Sequence, residues 1–154
     1  MPVKAVEVNR DAFKLIVWRL HDNDKSTGDY EDRLCMWKVE HRYKIAIGAV
    51  GYITPAGLYY VSSKALNPSW KMPESDWVPK EQWGQIIPGG DQRNPLKGAF
   101  ISLGGRPIDG IGFHGTAAVE SLGTRASHGC IRMAESDVLN LYDRIEVGTL
   151  VFIN

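Results

Sequence analysis

The sequence predicts a mainly β protein, a sandwich or barrel with one or two short helices, on three observations. One long stretch alternates apolar and polar residues with period two, further short apolar runs follow at regular spacing, and 16 glycines punctuate them. Successive side chains of a strand point to opposite faces, so period-two alternation marks a half-buried strand, and evenly spaced short strands mark a sandwich or barrel. So many glycines favour a turn-rich fold over a helical bundle. At 154 residues the chain has about the length of one domain and can bury a core without disulfides or metal. It shows no repeat, low-complexity tract or linker, so residues 1–154 are expected to form a single domain.

Phe13 to Leu20 is the first strand candidate, apolar on both faces apart from Lys14 and Arg19. His21 to Asp32 is polar and carries Asp22-Asn23-Asp24 and Thr27-Gly28-Asp29, which is turn chemistry. From Lys38 to Ile47, Val39, Tyr43, Ile45 and Ile47 share one face, while Lys38, Glu40, Arg42 and Lys44 share the other. The two strands are expected to pair as a long antiparallel hairpin. Leu58 to Val61, Ala99 to Leu103, Ile111 to Phe113 and Thr149 to Ile153 are further short strands.

Asn67 to Pro95 interrupts this pattern with five of the eight prolines and three of the five tryptophans, Trp70, Trp77 and Trp83. Such a segment cannot sit inside a sheet. Either it is a lid over a functional groove, as long ordered loops often are, or a surface excursion whose tryptophans plug the core. Near the end, Val138, Leu141, Tyr142 and Ile145 form the i, i+3, i+4, i+7 stripe of a helix from Glu135 to Ile145. Ser136 or Asp137 is expected near its N-terminus, and Gly148 follows its end.

Lys plus Arg equals Asp plus Glu, 18 against 18, which argues against general affinity for nucleic acid or an anionic membrane. No apolar run is long enough to span a bilayer. Met1-Pro2-Val3-Lys4-Ala5 lacks the basic start and apolar stretch of a signal peptide, so the chain is either cytosolic or a mature domain without its export segment. Two cysteines, Cys35 and Cys130, do not make a disulfide framework.

The chemistry concentrates in Phe113-His114-Gly115-Thr116 and Ser127-His128-Gly129-Cys130-Ile131-Arg132-Met133. A free thiol has a pKa of about 8.5, so it needs a base to become a nucleophile near neutral pH. An imidazole can take that proton and return it to a leaving amine. His128 lies two residues before Cys130 and would share its face if the piece is extended. His114, closing its predicted strand, could approach from a neighbouring one. Gly129 lets the backbone come close to a substrate, and its N–H with that of Cys130 could face an oxyanion. A Cys-His acyl-transfer site is one interpretation. A lone cysteine as a small buried hydrophobe is another. A catalytic zinc held by His114, His128 and Cys130 is a third, although their spacing matches no standard zinc pattern and no metal is expected.

Taken together, these two motifs resemble the signature of the YkuD-type L,D-transpeptidases. Thr54-Pro55-Ala56-Gly57 before Leu58-Tyr59-Tyr60-Val61 is similar to that family's strand start. Asn67-Pro68-Ser69-Trp70, Pro88-Gly89-Gly90 and Asn94-Pro95-Leu96 match segments that members carry before the active site. Leu141-Tyr142-Asp143 and Val147-Gly148-Thr149 resemble the closing helix and strand, so the likeness covers roughly Lys38 to Asn154.

The resemblance implies a β-sandwich or barrel with a groove over the cysteine and no cofactor. It implies a cysteine-dependent acyltransferase of the bacterial envelope, outside the cytoplasmic membrane. Such an enzyme cuts a stem tetrapeptide before its D-Ala and passes the acyl group through a thioester to an amine on another stem, giving a 3→3 cross-link. Cys130 would be the nucleophile and His114 the acid/base, oriented by a backbone carbonyl here assigned to Gly115. His128 and Gly129 would shape the oxyanion region, and Arg132 would support the site or hold a substrate carboxylate. A carbapenem should acylate the same sulfur. An exported location would require an upstream segment outside this chain. Hydrolysis of the same stems, or a wall-binding module of low activity, are the alternatives.

Each role has a plainer competitor. His128 could be only a hydrogen-bonded structural group. Arg132, whose planar fork suits a carboxylate, could make a salt bridge instead. Ser127, Gly115 and Thr116 join Arg132 as candidate substrate-binding residues, although Ser127 could instead cap or turn the backbone, which its residue type favours, and Thr116 could merely fill space beside the motif. Cys35 is taken as a packed thiol, His21 and His41 as surface groups, and Tyr59 and Tyr60 as strand packing.

Overall fold

A computed structural model describes residues 2–21 and 37–154. Among these residues the strands are β1 (Lys4–Asn9), β2 (Lys14–Leu20), β3 (Trp37–Gly48), β4 (Gly57–Leu66), β5 (Trp70–Lys71), β6 (Ile86–Ile87), β7 (Lys97–Gly104), β8 (Gly112–Thr116), β9 (Arg125–Ser127), β10 (Ile131–Ala134) and β11 (Leu150–Ile153), and the α-helix is α1 (Glu135–Arg144). The main sheet runs β10-β8-β7-β4-β11-β1-β2-β3-β9, and β10 also pairs with β3. That second pairing, Arg132 opposite Ala46 and Met133 opposite Ile45, closes the sheet on itself. The fold is therefore a mainly β barrel, as the strand pattern predicted, with β9 extending the far end of β3.

The inward positions fill the barrel. Val6, Val8, Leu15, Val17, Ile45, Ile47, Val61, Ile101, Phe113, Ile131, Met133, Val151 and Ile153 belong to one buried cluster. Val138, Leu141 and Ile145 join it, so α1 packs its apolar stripe against the cluster along β7, β8 and β10. Burying one such aliphatic side chain contributes about 1.5–3 kcal/mol before entropy is charged.

The predicted hairpin is present, with β2 antiparallel to β3 from Lys14 opposite Lys44 to Leu20 opposite Trp37. The turn assigned to His21–Asp32 lies outside the described residues beyond His21, and so does Cys35. A register shift falls between Val17 and Trp18, which pair with His41 and Val39 and leave Glu40 as the extra residue. Expected on the solvent face, Glu40 instead meets Lys4 at 3.0 Å and Arg144 at 3.3 Å. Burial would raise its carboxyl pKa, but those two cations outweigh burial and hold it below the usual range.

Several expectations need correction. Helix α1 starts after Ala134 with no side-chain cap, so neither Ser136 nor Asp137 caps it. Glu135 and Asp137 sit inside the first turn, where their charge favours the helix dipole. Strand β1 escaped notice because only Val6 and Val8 mark its inner face, and it is held between β2 and the last strand of the chain. The strand expected at Ile111–Phe113 is β8 and runs on to Thr116, so His114 sits inside it rather than closing it.

The Pro/Trp segment crosses one side of the barrel as a strap with its own ladder, Trp70 opposite Ile87 and Lys71 opposite Ile86. Buried Asn94 pins it: its side-chain amide reaches the carbonyl oxygens of Pro68 at 2.9 Å and Pro88 at 3.1 Å, and its Oδ1 accepts the Leu96 N–H. None of its three tryptophans enters the core. Trp83 instead donates its indole N–H to the carbonyl of Val78 within the strap.

Candidate active site

β8 and β10 lie side by side and parallel, with His114 opposite Arg132 and Gly115 opposite Met133. This pairing brings together two motifs that sequence alone separates. His114 is buried, with Nδ1 2.8 Å from the carbonyl oxygen of Gly115. A carbonyl only accepts, so Nδ1 carries the proton and Nε2 keeps its lone pair. Burial pushes the imidazole pKa down to about 4; the Gly115 bond opposes this and the charge of Arg132 adds to it. His114 is therefore a neutral base near pH 7. Gly115 must be glycine for packing, since a Cβ there would lie 2.2 Å from the carbonyl oxygen of Lys97 on β7.

Cys130 ends a tight turn before β10 and is partly exposed to a groove. Residues 128–130 are not extended: they form a bend in which Gly129 takes φ +122°, a left-handed conformation that side chains rarely adopt. His128 and Cys130 nonetheless both line the groove, through the bend rather than through strand alternation. The Gly129 N–H donates to Ser127 Oγ at 3.1 Å, so it is engaged in the turn and does not point to an oxyanion as expected. Ser127 Oγ in turn donates to the Cys130 carbonyl at 2.5 Å, so its hydroxyl holds the turn. The Cys130 sulfur lies 3.6 Å from the Gly110 carbonyl rather than bonded to an imidazole. Burial raises the thiol pKa, against a backbone hydrogen bond at Gly112 and the charge of Arg132. The resting pair is thus neutral thiol and neutral imidazole, suited to proton removal during attack rather than to a standing ion pair.

The groove is about 830 Å³, and Trp70, Trp77, Phe100, His114, His128 and Cys130 are among its walls. The strap forms one side, as the lid interpretation expected. Trp77 stacks on His128 with centroids 3.9 Å apart, and Tyr52 meets the same imidazole edge-on at 4.7 Å. Tyr52 donates its hydroxyl to Asp76 of the strap at 3.1 Å. Burial and then Arg132 lower the His128 pKa, with Asp76 opposing them. Arg132 faces the groove, and among the described residues no carboxylate pairs with it.

Thr116 is not brought to the groove; its hydroxyl accepts the Ala118 N–H at 3.1 Å beside the motif. Among the described residues no three His, Cys, Asp or Glu side chains converge as a metal site, so His114, His128 and Cys130 do not form the zinc set considered above. His21 is exposed, and half-buried His41 packs on Tyr43 with centroids 4.5 Å apart. Tyr59 is buried and donates to the Ala56 carbonyl at 2.8 Å, whereas Tyr60 is exposed. Sequence reasoning missed Thr54 as a site residue. Buried Thr54 donates to the Gly129 carbonyl at 2.7 Å and accepts the Gly48 N–H at 2.9 Å, tying the Cys130 turn to β3. Its place in the Thr54-Pro55-Ala56-Gly57 segment was the available signal.

Compared with known proteins, residues 4–153 match the family model for the YkuD L,D-transpeptidase catalytic domain. The chain belongs to the YkuD family. It is 37% identical over 118 residues to the Bacillus subtilis (strain 168) protein "Putative L,D-transpeptidase YqjB", a stretch that is 75% of this chain and 60% of that one. The match to YbiS of Escherichia coli (strain K12) spans only 35% of that protein. The barrel superposes on the catalytic domain of Enterococcus faecium L,D-transpeptidase with TM-score 0.61 at 23% identity, covering 100% of this chain and 98% of that one. It superposes on Mycobacterium tuberculosis L,D-transpeptidase 3, solved in complex with a faropenem-derived adduct, with TM-score 0.68 at 18% identity over 99% of this chain and 60% of that one. At these identities the structural likeness speaks for the YkuD fold alone. Among the described residues no helix is long and apolar enough to cross a membrane.

Proposed function

We propose that this YkuD-family chain is an L,D-transpeptidase that acts on peptidoglycan stem peptides through a Cys130 thioester, as one catalytic unit over residues 1–154. The observation that carries the proposal is the commitment of His114 Nδ1 to the Gly115 carbonyl, which leaves Nε2 as a neutral base in the groove that holds Cys130. His114 takes the thiol proton as sulfur attacks the carbonyl before D-Ala, then gives it to the departing D-Ala amine. An amine of a second stem attacks the thioester, gives a 3→3 cross-link and returns the thiol, the two-step logic of covalent catalysis.

The Arg132 guanidinium, unpaired among the described residues, binds a donor carboxylate, and its charge favours the thiolate over the thiol. His128, held by Trp77 and Tyr52, sets the shape of the turn that presents the sulfur. Gly129 serves through its left-handed φ. Ser127 supports that turn, and no substrate role is proposed for it or for Thr116. No cofactor is invoked. The substrate places the working enzyme outside the cytoplasmic membrane.

Incubation with defined tetrapeptide muropeptides, followed by mass analysis, tests the proposal. D-Ala release with dimer formation is expected, Cys130→Ala abolishing both and Cys130→Ser nearly so. D-amino-acid exchange by purified Cys130→Ala would overturn it. Release without dimers, even with a competing amine, would make the protein a hydrolase of the same stems. Muropeptide capture with no product after long incubation would make it a wall-binding module. A relative of this fold forms a faropenem-derived adduct. A carbapenem is likewise expected to add its mass to this chain only when Cys130 is present.

A further inference from the structure

The groove carries a one-sided distribution of charge. Among the described residues, Lys71, Arg93 and Arg132 line it as cations, and Asp109 is the one carboxylate. Arg93 is held by Asp91 through two hydrogen bonds at 3.1 and 2.9 Å, so its charge is largely matched. Lys71 and Arg132 pair with no carboxylate among the described residues. Asp109 is exposed and has no ion-pair or side-chain hydrogen-bond partner among them. It directly precedes Gly110, whose carbonyl lies 3.6 Å from the Cys130 sulfur, so this lone carboxylate stands at the thiol's edge of the groove. On the strap side and beside His114 the free charges are positive.

The two substrates of an acyl transfer differ in charge at the reacting end. The donor brings carboxylates, which Arg132 and Lys71 attract. The acceptor brings an amine that is an ammonium ion near pH 7, which those cations repel and Asp109 attracts. We infer that Asp109 selects the acceptor: it holds a primary ammonium that has no carboxylate beside it at the lip of the groove next to Cys130. The inference rests on the proposed thioester. An α-amino acid acceptor would bring its own carboxylate against Asp109 and is disfavoured, whereas a side-chain amine is favoured. The ammonium gives one proton to solvent. The neutral nitrogen then attacks the thioester carbonyl, the C–N bond forms and the C–S bond breaks with its electron pair returning to sulfur. The second proton passes from nitrogen to His114 Nε2 and on to the thiolate. Asp109 takes no proton and acts only on where the amine sits.

The test measures how the acyl-enzyme, formed from a tetrapeptide donor, partitions between water and an added amine. The amines are Nα-acetyl-lysine amide, which offers a side-chain ammonium without a carboxylate, and glycine, which is a zwitterion. Wild type is expected to prefer the lysine derivative. Asp109→Asn should lower the ratio of amide to hydrolysed product by about tenfold at low salt, Asp109→Lys by more, and Asp109→Glu should restore most of it. Raising the salt should depress the wild-type ratio and leave that of Asp109→Asn nearly unchanged. Asp143→Asn, the same charge change on the exposed side of α1, should leave the ratio at the wild-type value.

An unchanged ratio in Asp109→Asn, with the acyl-enzyme still forming, overturns the inference and leaves the proposed function standing. A wild-type enzyme that makes no amide with either amine also overturns the inference, and it leaves the Cys130 thioester standing with water as its acceptor. Failure of wild type to form any Cys130 acyl adduct overturns the proposed function, and this inference with it.

Discussion

Trp77 lies flat on His128, with ring centroids 3.9 Å apart and planes 10° apart. Trp70 stacks on the other indole at 6.5 Å, so the strap reaches the nucleophile's turn through a row of flat rings. A stack of this kind contributes about 0.5–1.5 kcal/mol beyond the area it buries. Trp77→Ala should release the strap tip and let a bulky maleimide alkylate Cys130 roughly 3- to 10-fold faster, the rate equivalent of that energy. Trp77→Phe should keep most of the protection. Equal alkylation rates in all three proteins would show that the stack does not cover the thiol.

Thr54 Oγ1 satisfies two buried backbone groups at once, the Gly129 carbonyl and the Gly48 N–H. Thr54→Val keeps the shape and leaves both unpaired, a loss of about 1–3 kcal/mol. Urea unfolding should show that loss, and β-lactam acylation of Cys130 should slow with it. Thr54→Ser should recover both. A Val variant as stable as wild type would contradict this pairing.

His114 stays neutral in the fold, with its pKa pushed down to about 4, while the unfolded chain takes up a proton below about 6.5. Its contribution to stability is therefore complete above pH 6.5 and is lost as pH falls towards 4. The lost stability amounts to about 3 kcal/mol by pH 4. Glu40, with its lowered carboxyl, adds a loss of the same sign at low pH. His114→Gln keeps a donor for the Gly115 carbonyl and cannot be protonated, so it should remove the His114 share alone. Denaturant melts of both proteins at pH 7.5 and pH 4 check the difference; parallel losses would refute it.

A methyl group at Gly115 would meet the Lys97 carbonyl oxygen at 2.2 Å and the Glu135 Cα at 3.0 Å. Both neighbours are backbone, so β7 and β8 must part. Gly115→Ala should cost about 1–3 kcal/mol or more and slow acylation, because the carbonyl that orients His114 moves too. Thermal unfolding with intact-mass kinetics checks both effects. A variant with wild-type melting and acylation would mean that the strands can yield.

Local signals carried much of this protein. The alternation from Lys38 to Ile47 marked β3, and the stripe from Val138 to Ile145 marked α1, because both periods are written within a few residues. Lines of sight failed where a partner elsewhere decides the outcome. Val6 and Val8 are too few to announce β1, which is ordered by β2 and β11 on either side. Glu40 alternated as a solvent residue, but the bulge turned it to Lys4 and Arg144. Gly129 was recognised as special for a different reason from the real one, since its φ and its engaged N–H depend on Ser127 and Thr54.

By itself, then, the order of amino acids determined a β-rich chain, a helix near its end, a Pro/Trp excursion and a thiol with two candidate imidazoles. These follow from residue type and short-range spacing. Only the tertiary structure decided that β10 lies parallel to β8, which sets Arg132 beside His114, and that the barrel closes through β3. It also decided that Asp109 is, among the described residues, the lone carboxylate of the groove and that Trp77 covers His128. Parallel pairing and charge placement join residues far apart in the chain, and the register that joins them is settled by packing the whole barrel rather than by any segment of it.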